Sequence, residues 1–170
     1  MTEPVTEEAR LVEFAALRAE IAQRSSFQHG LMVLNLTASG AVFGLVFGHN
    51  ADRTLLLTLA IVSPALGVLW FGNHLAIARV GSYIAAELWI WEPSWELWLR
   101  RVEPDHGGWW NHTWWPMVQL IFCGAPLAAL GIALPIHDSS AAVWGLWCVG
   151  FVMTAYLAIA SAFLRRRPRA

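Results

Sequence analysis

Few residues in this chain have the type and spacing to do chemistry, and those few sit at the ends of long apolar runs. His29 and His74 each lie close to a glycine, Gly30 and Gly72, and Arg79 and Glu87 follow His74 within thirteen residues. Together these four make a possible polar site, because an imidazole with an ordinary pKa of about 6.5 is easily shifted by its neighbours and can relay protons or bind metal. The plainer reading is a set of polar residues at a membrane boundary. A metal centre is not expected: Asn73 and Gln28 are poor third ligands, and no cysteine or carboxylate is adjacent. The chain contains no glycine-rich phosphate loop, H-E-x-x-H, C-x-x-C or G-x-S-x-G. No catalytic, cofactor-binding or metal-binding residue is therefore assigned, and no cofactor is expected.

Tryptophan is the other unusual resource. Eight of the eleven tryptophans fall between Trp89 and Trp115, in WIWEPSWELWLRRVEPDHGGWWNHTWW. The indole ring is apolar and its N–H is polar, so Trp95, Trp98, Trp109 and Trp110 suit an interfacial belt along one leaflet. An aromatic cage for a ligand is the alternative. Stacking on nucleic acid is disfavoured, since Glu92, Glu96, Glu103 and Asp105 offset the local arginines and the net charge of the chain is −1.

The elements that carry these residues follow from composition. The chain is 57% hydrophobic and 14% charged, with a mean hydropathy of +0.50, where an ordinary soluble domain has roughly 25% charged residues. Four apolar runs, 31–48, 54–72, 116–134 and 141–163, each approach the ~20 residues a helix needs to cross ~30 Å of hydrocarbon. Continuous runs favour helices over a barrel. The expected fold is an all-α membrane protein of two antiparallel transmembrane hairpins, the first with cytosolic helical extensions. Residues 6–29 form a cytosolic amphipathic helix, and 73–115 a second cytosolic helix followed by the Trp-rich interfacial loop. Arginines precede the first run, lie between the second and third, and follow the fourth, with only Arg53 on the other side. The positive-inside tendency then makes both termini of a multi-pass membrane protein cytoplasmic. The acidic start argues against a cleaved signal peptide.

Thr6 is a suitable N-cap, with Glu7 and Glu8 in the first turn. Leu11, Phe14, Leu17 and Ile21 form one apolar stripe, and Ile77, Val80, Ile84, Leu88 and Trp91 form another. Zipped as an antiparallel stalk turning near residue 51, they pair positions whose numbers add to about 102, which sets Phe14 at the level of Leu88 and Arg18 near Glu87. Gly30 and Gly72 then face each other as possible hinges, or simply allow close packing. Gly40, Gly44 and Gly48 line one face of the first span, a small-residue groove for either the second span or a neighbouring subunit. Asn35 needs a hydrogen-bond partner on another helix. Pro64 deprives the Ala60 carbonyl of its helical donor and Pro126 kinks its span. In the second hairpin Gln119 comes opposite Tyr156, and the two are expected to bond. Cys123 and Cys148 stand four residues out of register, about 6 Å on top of a helix separation of about 8–10 Å, which is too far for a disulfide.

The run QRSSFQHGLMVLNLTASGAVFGLVF…LAIVSPALGVLWFGNHLAIARVGSYI resembles small uncharacterised bacterial integral membrane proteins. The layout of a membrane hairpin with cytosolic helical extensions is loosely similar to SLATT-type proteins, which implies a membrane effector triggered by a cytosolic signal. Three functions follow as expectations: a non-catalytic partner or scaffold subunit working through the stalk, a homo-oligomeric channel or membrane-perturbing effector gated by it, and a membrane enzyme or lipid-handling protein. The expected partners are the lipid bilayer, further copies of the chain, and a cytosolic or membrane protein.

Overall fold

A computed structural model describes residues 6–88, 115–134 and 140–166, and all regular structure there is helical, with no strand among the described residues. Helix α1 spans Glu7–Gly48 without interruption. Its start is as expected: the Thr6 hydroxyl accepts the Ala9 N–H at 3.4 Å, with Glu7 and Glu8 against the positive helix end. After Gly48 the chain turns through Asn50 in the left-handed region (φ 52°), where asparagine is tolerated better than most residues. A 3-10 turn, Arg53–Leu55, is capped by Asp52, whose carboxylate accepts the Thr54 N–H at 2.9 Å. Helix α2 is Leu56–Glu87, with Pro64 inside it. Helix α3 runs Trp115–Ile132 and contains a π-helical segment, Leu120–Gly124. Helix α4 is Ala141–Arg166. The four helices are each long and apolar enough to cross a membrane.

The amphipathic helix runs on into the first span, and the register of α1 on α2 differs from the sequence expectation. The amphipathic helix and first span are one rod: at about 1.5 Å per residue, the 42 residues of α1 are about 63 Å long, twice the hydrocarbon thickness. Neither Gly30 nor Gly72 interrupts its helix. The register of α1 on α2 is also lower than a turn at residue 51 implies. Tyr83 Oη donates to Glu13 Oε1 at 2.8 Å and Gln28 Nε2 to the Trp70 carbonyl at 3.2 Å, which puts Phe14 near the level of Tyr83 rather than Leu88. The seven-residue connection from Gly48 to Leu56 folds back on the end of α1, with the Ala51 N–H donating to the Leu45 carbonyl at 3.2 Å, which fits the shifted pairing.

Helix α2 is the centre of the bundle. Half of its most apolar window is buried, against 22% for α1 and for α4. It packs on α1, α3 and α4 alike, and α4 leans more on α2 than on α3, its neighbour in sequence. Two glycines permit this. A Cβ on Gly150 would stand 2.6 Å from Ala60 Cβ and 3.3 Å from the Ala60 carbonyl oxygen; one on Gly67 would meet Leu157 Cδ2 at 2.5 Å and Phe122 Cβ at 3.1 Å. Ala60 is the residue whose helical donor Pro64 removes, so α4 crosses directly over the bare carbonyl.

The core is two apolar clusters separated by a polar layer. One joins Leu31, Trp70, Phe71, Trp115, Val118, Phe122, Cys123 and Leu157. The other joins Val46, Leu56, Leu57, Leu59, Ala60, Ala129, Leu130 and Ala133. Both cysteine thiols are free, Cys123 buried and Cys148 exposed. Residues 89–114, which carry most of the Trp-rich segment, 135–139, and 167–170 with Arg167 and Arg169 lie outside the described residues.

Candidate functional site

The polar layer is built around a proline. Pro126 has no N–H, so neither the Phe122 carbonyl, its acceptor in an α-helix, nor the Ile121 carbonyl, its acceptor in a π-helix, can be served by it. Side chains from two other helices take over. Asn35 Nδ2 of α1 donates to the Ile121 carbonyl at 2.7 Å, and Ser63 Oγ of α2 donates to the Phe122 carbonyl at 3.1 Å. Asn35 and Ser63 are 1% and 0% exposed. Asn35 thus has the interhelical partner its position demanded, in α3 and not in α2. An unpaired amide in so apolar a setting costs several kcal/mol, roughly 2–7 on transfer scales.

A second polar group lies between α3 and α4. Gln119 Nε2 donates to Ser161 Oγ at 2.6 Å, Trp115 Nε1 to the Ser161 carbonyl at 3.1 Å, and Ser161 Oγ to the Ala158 carbonyl at 2.9 Å. The expected bond from Gln119 to Tyr156 is therefore replaced by one to Ser161. The reason is the helix face: Thr154, Leu157 and Ser161 recur at three- and four-residue steps and are buried, whereas Tyr156 is 64% exposed. Thr154 Oγ1 donates back to the Gly150 carbonyl at 2.8 Å.

Two buried groups have no partner among the described residues: Ser39 Oγ and Trp70 Nε1. Ser39 lies one turn beyond Asn35 on the same face of α1. Trp70 belongs to an aromatic cluster, stacked on His74 (ring centroids 5.4 Å apart, planes at 7°) and on edge to Phe71 at 5.1 Å. Trp115 closes on His74 at 5.6 Å and on Phe71 at 5.1 Å.

The residues of the possible polar site are placed as follows. His74 is half-buried between Trp70 and Trp115. His29 is exposed and its Nδ1 is 2.8 Å from the Ser25 carbonyl of its own helix. Arg79 and Glu87 are exposed, and lie about 12 Å apart along α2. No three of His, Cys, Asp and Glu come together among the described residues. The glycine face of α1 is open: a Cβ on Gly30, Gly40, Gly44 or Gly48 would touch nothing within 4 Å, and the same holds for Gly72 of α2. The second span therefore does not fill the groove of Gly40, Gly44 and Gly48. Trp95, Trp98, Trp109 and Trp110 lie outside the described residues.

The close-contact glycines, Gly67 and Gly150, were not singled out by sequence reasoning. Their signal is a small residue four positions away, Ser63 for Gly67 and Thr154 for Gly150, on a face that also carries polar groups. The donors of the polar layer are a neutral amide and a hydroxyl that tie α1 and α2 to α3. Compared with protein-family models, curated proteins and solved structures, the chain finds no match.

Proposed function

We propose that this chain is a non-catalytic, multi-pass integral membrane protein that acts as a partner or scaffold subunit through a helical stalk. The observation that carries this reading is the length of the first two helices. Helices α1 and α2 run for 42 and 32 residues, against ~20 for a span, and they remain paired beyond membrane length by the Tyr83–Glu13 bond and buried Ile84 and Leu88. The arginine distribution supports a cytoplasmic stalk and cytoplasmic termini, and the reading takes α1–α2 and α3–α4 as two antiparallel hairpins in a bacterial inner membrane. Leu11, Val12 and Phe27 stand exposed on the stalk at 43%, 65% and 52%, which supports a protein partner there. A photo-cross-linking residue at Val12 or Phe27, in native membranes, is expected to trap one other protein from both positions, and Val12→Glu to abolish the product. Recovery of self-copies alone overturns the reading.

A homo-oligomeric channel or membrane-perturbing effector is the second reading, favoured by the uncovered Gly40, Gly44 and Gly48 face. Lipid gives helices no hydrophobic drive to associate, and small residues are how their backbones approach. Because the space over Gly44 is open within the chain, Gly44→Leu leaves the fold intact. It is expected to dissociate an oligomer in mild detergent and to remove any conductance in bilayers; an unchanged oligomer overturns this reading.

A further inference from the structure

We propose that α1 has a second register, one turn along its axis, in which Ser39 replaces Asn35 on the Ile121 carbonyl and Asn35 moves to the side of Trp70. The two buried polar groups left without partners, Ser39 Oγ and Trp70 Nε1, are the observations behind it. Ser39 is 7% exposed, four residues beyond Asn35 and on the same face. Advancing α1 by four residues toward its N-terminus, about 6 Å, puts residue 39 where residue 35 stands. The same step carries Asn35 to the place of Leu31, which shares a buried cluster with Trp70. There the amide oxygen of Asn35 can accept the indole N–H. One movement thus gives both unpartnered groups a partner while the Ile121 carbonyl, which Pro126 cannot serve, keeps a donor throughout.

The described register has its own bonds, Gln28 to the Trp70 carbonyl and Tyr83 to Glu13, and the step gives these up because Met32 and Leu17 arrive in their places. The two arrangements exchange one set of polar contacts for another, as expected of a bistable packed interface that ratchets by a turn. Slack for the step comes from the α1 end. Helical residues rise about 1.5 Å each and extended ones about 3.3 Å, so unwinding the last turn, which ends at Gly48, releases about 7 Å, enough for the step. The consequence is a stalk that moves outward by one turn relative to α2. This inference concerns α1 against its own bundle and does not depend on what binds the stalk.

The test reads the register in native membranes with the full chain, in a Cys123→Ala, Cys148→Ala background, using a short thiol cross-linker. Glu13→Cys with Tyr83→Cys reports the described register, and Leu17→Cys with Tyr83→Cys reports the second. Val12→Cys with Tyr83→Cys, on the far face, sets the background. Both reporter pairs are expected to cross-link above background. Asn35→Ala raises the second product several-fold relative to the first, since only Ser39 can then serve the Ile121 carbonyl. Ser39→Leu abolishes the second product and keeps the first, and Ser39→Thr, which retains the hydroxyl, restores it. A second product at background level, or one equally affected by Ser39→Leu and Ser39→Thr, overturns the proposal.

Discussion

At the scale of single residues, the absent amide proton of Pro126 organises three helices. The Ile121 and Phe122 carbonyls are held by Asn35 and Ser63, so the value of Asn35 depends on the proline. Interhelical hydrogen bonds in membranes contribute on average about 0.6 kcal/mol and up to about 1.7, and an orphaned carbonyl adds to the loss. Asn35→Ala is expected to destabilise the parent by about 1–2 kcal/mol in a reversible unfolding assay. In a Pro126→Ala chain, where residue 126 has an N–H to give, the same substitution is expected to cost much less. Equal losses in the two backgrounds would mean that Asn35 does not stand in for the proline.

Charge acts at this scale too, outside the apolar layer. The Tyr83 hydroxyl is pushed above its ordinary pKa of 10.0, first by donating to Glu13, then by partial loss of solvent and by the charges of Glu13 and Glu87. The neutral phenol makes the bond, so its contribution is fully present below about pH 10. That contribution is lost as pH rises through the raised folded value. Absorbance titration is expected to give a midpoint above that of a free tyrosine for Tyr83, and Glu13→Gln to lower it; an unmoved midpoint would place the two side chains apart. At the turn the sign reverses. The Thr54 N–H, with its hydroxyl, holds the Asp52 carboxyl below its ordinary 3.8, so the cap is stable above that value and is lost as pH falls through the lowered one.

At the scale of elements, the glycines divide into two kinds that sequence treats alike. Gly150 and Gly67 are where α4 and α3 press on α2; Gly40, Gly44 and Gly48 face open space. Gly150→Ala forces a Cβ against backbone and is expected to cost about 1–3 kcal/mol. Gly44→Ala touches nothing in the chain and is expected to be neutral or to stabilise by up to about 1 kcal/mol through helix propensity. Unfolding of the two variants in detergent distinguishes them, and equal effects would contradict the packing. The four helices, the Thr6 cap, the need of Asn35 for a partner and the separate cysteines were all legible, because hydropathy, capping chemistry and helix rise are local properties. What was not legible depends on how helices lean on one another. The open glycine groove, the Gln119–Ser161 bond and the lowered register of α1 on α2 each follow from tertiary choices, namely which face turns inward and how the connection after Gly48 folds back. The surroundings of the four-residue polar site, such as the stacking of His74 on Trp70, are likewise tertiary and not written in the spacing.

At the scale of the whole molecule, the functional reading rests on α1 being one rod from Glu7 to Gly48. Only an unbroken helix carries a displacement from the stalk into the polar layer, whether a partner supplies it or the helix moves alone. A joint at Gly30 would absorb that displacement. The most direct measurement is a pulsed electron paramagnetic resonance distance between spin labels at Ala16 and Ala41, both exposed on α1, with labelled chains diluted in unlabelled ones in lipid. A continuous helix gives one narrow distribution centred at about 38 Å, unchanged by Gly30→Ala. A shorter or two-peaked distribution that Gly30→Ala narrows would contradict it.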